Sequence, residues 1–99
     1  MAKTVQIRIY DVRRERLDEW IEKFHARIVP LRRELGFEIP GSWVDRERSQ
    51  HIWVIAHEGE SQFEEANAAY WASPRRAELD VDPDDFLTSS ETRTVESIL

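Results

Sequence analysis

The chain has 99 residues, room for one domain spanning 1–99 and no second one. Its 20 acidic and 14 basic residues give a net charge of −6, which argues against nucleic-acid binding, a function that needs a basic face to release phosphate counterions. It has no cysteine, which removes disulfides, thiolate nucleophiles and thiolate metal ligands together. No apolar run approaches the roughly 20 residues that span a bilayer, so a cytoplasmic protein without a membrane partner is expected.

Val5, Ile7 and Ile9 alternate with Gln6, Arg8 and Tyr10, the period of a strand with one apolar and one polar-aromatic face. A helix follows, with Leu17, Trp20, Ile21, Phe24, Ile28, Leu31 and Leu35 on one stripe at spacings of three and four. Asp18 and Glu19 suit its first turns, and Glu19 with Lys23 is a favourable i,i+4 pair. Pro30 removes the bond to the Ala26 carbonyl and predicts a kink, and Gly36 supplies a stop.

After Pro40-Gly41, a short strand is expected over Ser42 to Arg46, then a turn at Glu47 to Gln50. The next strand, His51 to His57, is apolar on both phases and so is central and covered on both sides. Ser61 and Glu64 have the spacing of a capping box opening a second helix, Gln62 to Ala72. Pro74 to Leu79 suggests a further helical turn, and Asp80 to Asp85 reads as a loop anchored by Phe86 and Leu87. A last strand is expected from Thr92 to Leu99.

The order β–α–β–β–α–β predicts an α+β, ferredoxin-like fold, with the first and third strands side by side at the centre and both helices on one face. The helices are expected to cover Val5, Ile7 and Ile9. The other face then carries Gln6, Arg8 and Tyr10 with one phase of the third strand. A monomer would leave large apolar side chains wet, so a homodimer through the sheet face is expected.

Several segments resemble the NIPSNAP family. They are the opening Val5 to Tyr10, the helix ending Ile28-Val29-Pro30-Leu31, Gly36-Phe37 before Gly41-Ser42-Trp43, the strand His51 to His57, and Ala68-Ala69-Tyr70-Trp71-Ala72-Ser73-Pro74. Each motif is degenerate, and their order and spacing over Val5 to Leu99 carry the resemblance. It implies a dimeric α/β barrel, two sheets closed face to face, but little chemistry. The wider superfamily includes cofactor-free monooxygenases, haem-degrading enzymes, isomerases and dehydratases, and fold analogy does not choose among them. The haem-degrading members depend on a helix histidine that Gln62 to Ala72 lacks.

Candidate catalytic residues are His57, Tyr10 and Arg8. With the third strand taken as parallel to the first, Tyr10 and His57 fall at one end of the sheet and flank one mouth. There His57 serves as base, and Tyr10 and Arg8 orient an acidic or phenolic substrate. The plainer alternative pairs Arg8 with a cross-strand acid such as Glu96 and leaves His57 a satisfied strand-end residue. Candidate ligand-binding residues are Gln6, Trp43, Trp53, Asn67 and Tyr70. Trp43 and Trp53 could form an aromatic wall for a flat ligand, though aromatics on strands are more often core or interface, and Asn67 is a polar residue inside an apolar helix stripe. No metal site is expected: His51 and His57 are about 20 Å apart along a strand, and no other cluster has ligand spacing. Two functions are therefore carried forward: a cofactor-independent monooxygenase or isomerase acting on a small aromatic or polyketide-like substrate, and a non-catalytic module for a small ligand or a partner protein.

Overall fold

Four strands, β1 (Lys3–Val12), β2 (Glu38–Asp45), β3 (Gln50–Glu58) and β4 (Leu87–Val95), form one sheet in the order β2-β3-β1-β4 with every neighbouring pair antiparallel. A computed structural model describes residues 3–98. Leu99, where the sequence pattern ends the last strand, lies outside the described residues, as do Met1 and Ala2. The expected α+β, ferredoxin-like order is what the chain adopts, with β2 and β4 beginning earlier than expected.

Between β1 and β2 runs one helical stretch: α1 (Leu17–Lys23), a π-helical segment (Phe24–Ile28) and α2 (Val29–Glu34). Pro30 explains the middle piece. Its ring collides with a carbonyl one α-turn back, and the preceding turn widens so that Val29 N–H reaches Phe24 O. The wider turn has a consequence for packing. Residues four apart drift around a helix of 3.6 residues per turn, and the π-helical turn takes up that drift. Trp20, Phe24, Ile28 and Arg32 are all buried as a result.

Between β3 and β4 lie α3 (Glu60–Ala72) and α4 (Pro74–Glu78). The capping box is not formed: Gly59, at φ 62°, is the N-cap, and Ser61 lies inside the helix. The positive φ is what favours glycine here; a Cβ would also stand 2.1 Å from Gln62 Oε1, a flexible chain end that could swing aside. Ser73 does cap α4, accepting from Arg75 N–H at 3.2 Å. Phe86 is buried against Trp20, the expected anchor after the acidic loop.

The two faces of the sheet are exchanged relative to the sequence expectation. Directly paired residues share a face, and Gln6, Arg8 and Tyr10 pair with Ile55, Trp53 and His51. That row lies under the helices, where Trp20 and Phe24 pack on His51 and Trp53. Val5, Ile7 and Ile9, paired with Ala56, Val54 and Ile52, form the uncovered face. Alternation shows that a strand has two faces but not which one meets the helices when both hold large apolar groups.

Strand direction is a second correction. β1 and β2 are joined by a helical crossover and β2 and β3 by a hairpin, so β3 runs antiparallel to β1. His57 therefore pairs with Thr4, and His51 is the histidine opposite Tyr10.

Candidate functional site

Between the helices and the sheet lies a cavity of about 20 Å3, lined by Tyr10 of β1, Trp53 of β3, Trp20, Phe24, Ile28 and Arg32 of the first helical stretch, and Tyr70, Trp71, Arg76 and Pro83 beyond β3. Rings face one another across it. Tyr10 and Trp53 meet edge to face with centroids 5.9 Å apart, and Phe24 meets Trp53 at 4.8 Å.

Three arginines converge here. Arg32 is 2% exposed and Arg76 5% exposed, so both charges are effectively removed from water. Arg32 donates Nη1–H to Asn67 Oδ1 at 2.8 Å, and its guanidinium lies 3.6 Å from the Tyr70 ring centroid. Arg76 lies 4.6 Å from the Trp71 ring centroid. Arg8, beside the cavity, lies 5.3 Å from the Trp53 centroid and donates from Nε and Nη2 to Gln6 Oε1, at 3.2 and 2.9 Å. Among the described residues none of the three is paired with a carboxylate; the expected Arg8–Glu96 partnership is not formed. Burial, with the Arg8 and Arg76 charges adding, pulls Arg32 down from its ordinary value to about 10. Burial pushes the Tyr70 phenol up, against the pull of Arg32 and Arg76.

His51 does not serve this cavity as a base. The Trp20 indole N–H donates to His51 Nδ1 at 3.0 Å, and His51 Nε2 lies 2.8 Å from Ser42 Oγ. Ser42 Oγ is in turn 3.0 Å from His25 Nε2, and His25 Nδ1 lies 2.9 Å from the Ile21 carbonyl. Burial, with a smaller effect from His25, pulls His51 down to about 3, so it is neutral at pH 7.

Of the residues singled out from sequence, Tyr10, Trp53 and Tyr70 line the cavity, Arg8 flanks it, Asn67 holds Arg32, and Gln6 holds Arg8. His57 does not join them. It sits half-buried at the far end of β3, its ring 5.1 Å from Phe37, and the antiparallel register puts it about six residues of strand, ~20 Å, from the Tyr10 end. Trp43 is on the opposite face of the sheet, 57% exposed, so it forms no wall with Trp53. Arg32, Arg76 and Trp71 were not singled out. Arg32 had a signal, four residues after Ile28 on the row of Trp20 and Phe24; for Arg76 the sequence pattern offers none. Among the described residues no group of His, Asp and Glu could hold a metal, and no helix is long and apolar enough to cross a membrane.

No protein-family model matches the chain, and no curated protein matches it either. Solved structures do. An uncharacterized NIPSNAP domain protein from Burkholderia xenovorans superposes with TM-score 0.83 at 12% identity, over 95% of this chain and 93% of that one. A NIPSNAP family protein from Agrobacterium tumefaciens str. C58 gives TM-score 0.85 at 19% identity, over 97% and 86%. A putative antibiotic biosynthesis monooxygenase from Nitrosomonas europaea gives 0.73 at 11% identity, over 98% and 91%. At such identities the likeness concerns architecture, and architecture does not choose a reaction. The chain has the fold of the NIPSNAP family proteins, as its sequence motifs led one to expect.

Proposed function

We propose that the protein is a homodimer closed sheet to sheet, and that each protomer binds a small organic ligand between its helices and its sheet without converting it. The observation that carries this reading is how the sheet divides its faces. Outside is an aliphatic row, Val5, Ile7, Ile9, Ile52 and Val54, with the exposed Trp43 beside it. A second copy of the same face is its simplest cover, because a two-fold interface needs one self-complementary patch. Inside is a ring-lined cavity whose polar groups are guanidinium, indole and phenol.

Those groups donate hydrogen bonds and stack. None of them is a proton acceptor at neutral pH of the kind acid–base turnover requires. His51 is engaged at both nitrogens, and His57 is at the other end of its strand. This favours the binding module over the cofactor-independent monooxygenase or isomerase.

Sedimentation velocity of the protein and of Val54→Asp tests the assembly: a dimer is expected for the first and a folded monomer for the second, and a monomeric parent overturns it. For the site, tryptophan fluorescence is followed during titration with small ring compounds, and each mixture is then examined for product by mass spectrometry. Saturable quenching without product is expected. Steady product formation would restore the enzymatic reading.

A further inference from the structure

We infer that the cavity bounded by Arg32, Arg76, Trp53, Tyr10 and Tyr70 is an anion site, and that its ligand is a small planar monocarboxylate, an aromatic acid. This rests on the ligand-binding reading above and names the ligand's class.

The first argument is an accounting of donors. Among the described residues, the buried side-chain polar atoms without a hydrogen-bond partner are Arg32 Nε, Arg76 Nε and Trp53 Nε1. All three are donors, and all three belong to residues that line this one cavity. Buried polar groups are otherwise satisfied in folded proteins, and a concentration of unsatisfied donors in one place is specific. What they lack is an acceptor.

The second argument is charge. Arg32 and Arg76 are each at least nine-tenths buried, Arg32 feels the charges of both Arg8 and Arg76, and among the described residues neither has a carboxylate within ion-pair distance. Stacking on Tyr70 and Trp71 occupies the guanidinium faces and Asn67 takes one Arg32 Nη1–H, but the Nε–H of each arginine is left without an acceptor. A water molecule would fit a cavity of about 20 Å3. Water accepts at most two of the bonds and neutralises neither charge. A carboxylate offers about four lone-pair sites and a full negative charge, and guanidinium edges match it two atoms at a time.

The third argument concerns shape and access. The walls are ring faces and edges, which suit a flat apolar body behind the acid group. The cavity is too small for such a body unless a wall moves. Trp71 and Pro83 are shared by the cavity and by two surface clefts of about 300 Å3 each. Trp71 is 50% exposed, so rotation of its indole into solvent gives up only its edge contact with Tyr70 and its stacking on Arg76, and joins the cavity to the clefts. Asp80, Asp82 and Asp84 line those outer clefts, an acidic mouth that disfavours a multiply charged ligand and leaves a single carboxylate as the best match.

The test uses the full chain with benzoate, benzamide, benzylamine and phthalate as probes, read by calorimetric titration and thermal unfolding. Benzoate is expected to bind at least about tenfold more tightly than benzamide, its neutral isostere, and to raise Tm by several degrees at saturation. Benzylamine and phthalate are expected to bind more weakly than benzamide and benzoate respectively. Arg76→Met is expected to lower benzoate affinity tenfold or more. Arg76→Lys, which keeps the charge and guards against a folding defect, is expected to lower it less. Trp71→Ala is expected to speed benzoate association. If benzamide binds as well as benzoate, the site takes neutral rings, and the anion inference falls while the ligand reading stands. If no ring compound binds, both fall. Benzoate binding that is unchanged in Arg76→Met is binding elsewhere and overturns the inference.

Discussion

The indole N–H of Trp20 donates to Nδ1 of His51 at 3.0 Å, which fixes the tautomer of a buried histidine. Indole only donates, so Nδ1 must accept and the imidazole proton sits on Nε2. From there the direction of every bond follows. His51 Nε2–H donates to Ser42 Oγ, Ser42 donates to His25 Nε2, and His25 Nδ1–H donates to the Ile21 carbonyl. A chain of four bonds thus runs from the core to an exposed histidine.

Protonating His51 breaks the first of these bonds inside the core, and this gives a pH prediction. Burial pulls its folded value from 6.5 to about 3. The unfolded chain therefore binds the extra proton between those values, so the contribution of His51 to stability is complete above pH 6.5 and is lost as pH falls toward 3. The loss approaches ~1.4 kcal/mol per pH unit, or roughly 2–3 kcal/mol by pH 4.5. Urea midpoints at pH 7 and pH 4.5 check it. His51→Asn, less stable at pH 7, is expected to show a smaller drop between the two; an equal drop would assign the pH effect to carboxylates alone.

Ser42 holds the middle of that chain. Ser42→Ala strands the His51 Nε2–H against a methyl group, a loss of about 1–3 kcal/mol for a buried donor left unsatisfied. His25→Ala removes an exposed partner, and the Ser42 hydroxyl can then turn to water, so about 0.5 kcal/mol or less is expected. Denaturation at pH 7 compares the two. Equal small effects would mean that solvent already reaches His51.

Some of this architecture was legible in the sequence and some was not, for identifiable reasons. The period of two in Val5 to Tyr10 and the apolar stripe from Leu17 to Leu35 located the first strand and helix, because each pattern follows directly from backbone geometry. The facing of the strand was hidden, since Gln6, Arg8 and Tyr10 look like an outward row until paired with Ile55, Trp53 and His51. His57 was misplaced by one error of strand direction. Arg32 and Arg76 were missed because arginine is ordinarily at the surface, and no local pattern marks one that is buried without an acid. Tyr10, singled out as catalytic, and Trp53 and Tyr70, singled out for ligand binding, do line the cavity, whereas the wall expected from Trp43 and Trp53 is not formed.

On the outer face, Gly41 supports Trp43. A Cβ at Gly41 would lie 2.3 Å from the indole, so Gly41→Ala must lift the ring. Because the ring is 57% exposed, the lift costs the protomer little, and urea stability measured at low concentration is expected to change by less than about 1 kcal/mol. The proposed sheet-to-sheet dimer loses a flat anchor, and its dissociation constant is expected to rise tenfold or more. Sedimentation equilibrium reads the second quantity independently of the first. A Gly41→Ala protein that dimerises like its parent would place the interface elsewhere.

The arginine cluster predicts that the ligand-free protein is less stable than it needs to be. Among the described residues Arg32 and Arg76 are buried like charges without an acid, and replacing one uncompensated buried charge with an apolar side chain of similar length is stabilising where packing is kept. Arg76→Met keeps the contact with Trp71 through a flexible chain and removes one charge from beside Arg32, so the variant is expected to unfold at a higher temperature in buffer alone. Saturating benzoate should then reverse the order, raising Tm of the parent and leaving the variant nearly unmoved. A purely structural Arg76, held by its rings and indifferent to anions, gives the opposite pattern: the variant is less stable in buffer, and benzoate shifts neither protein. Thermal unfolding of the two proteins with and without benzoate separates these cases, because a residue kept for binding and a residue kept for folding move the ligand-free melting point in opposite directions.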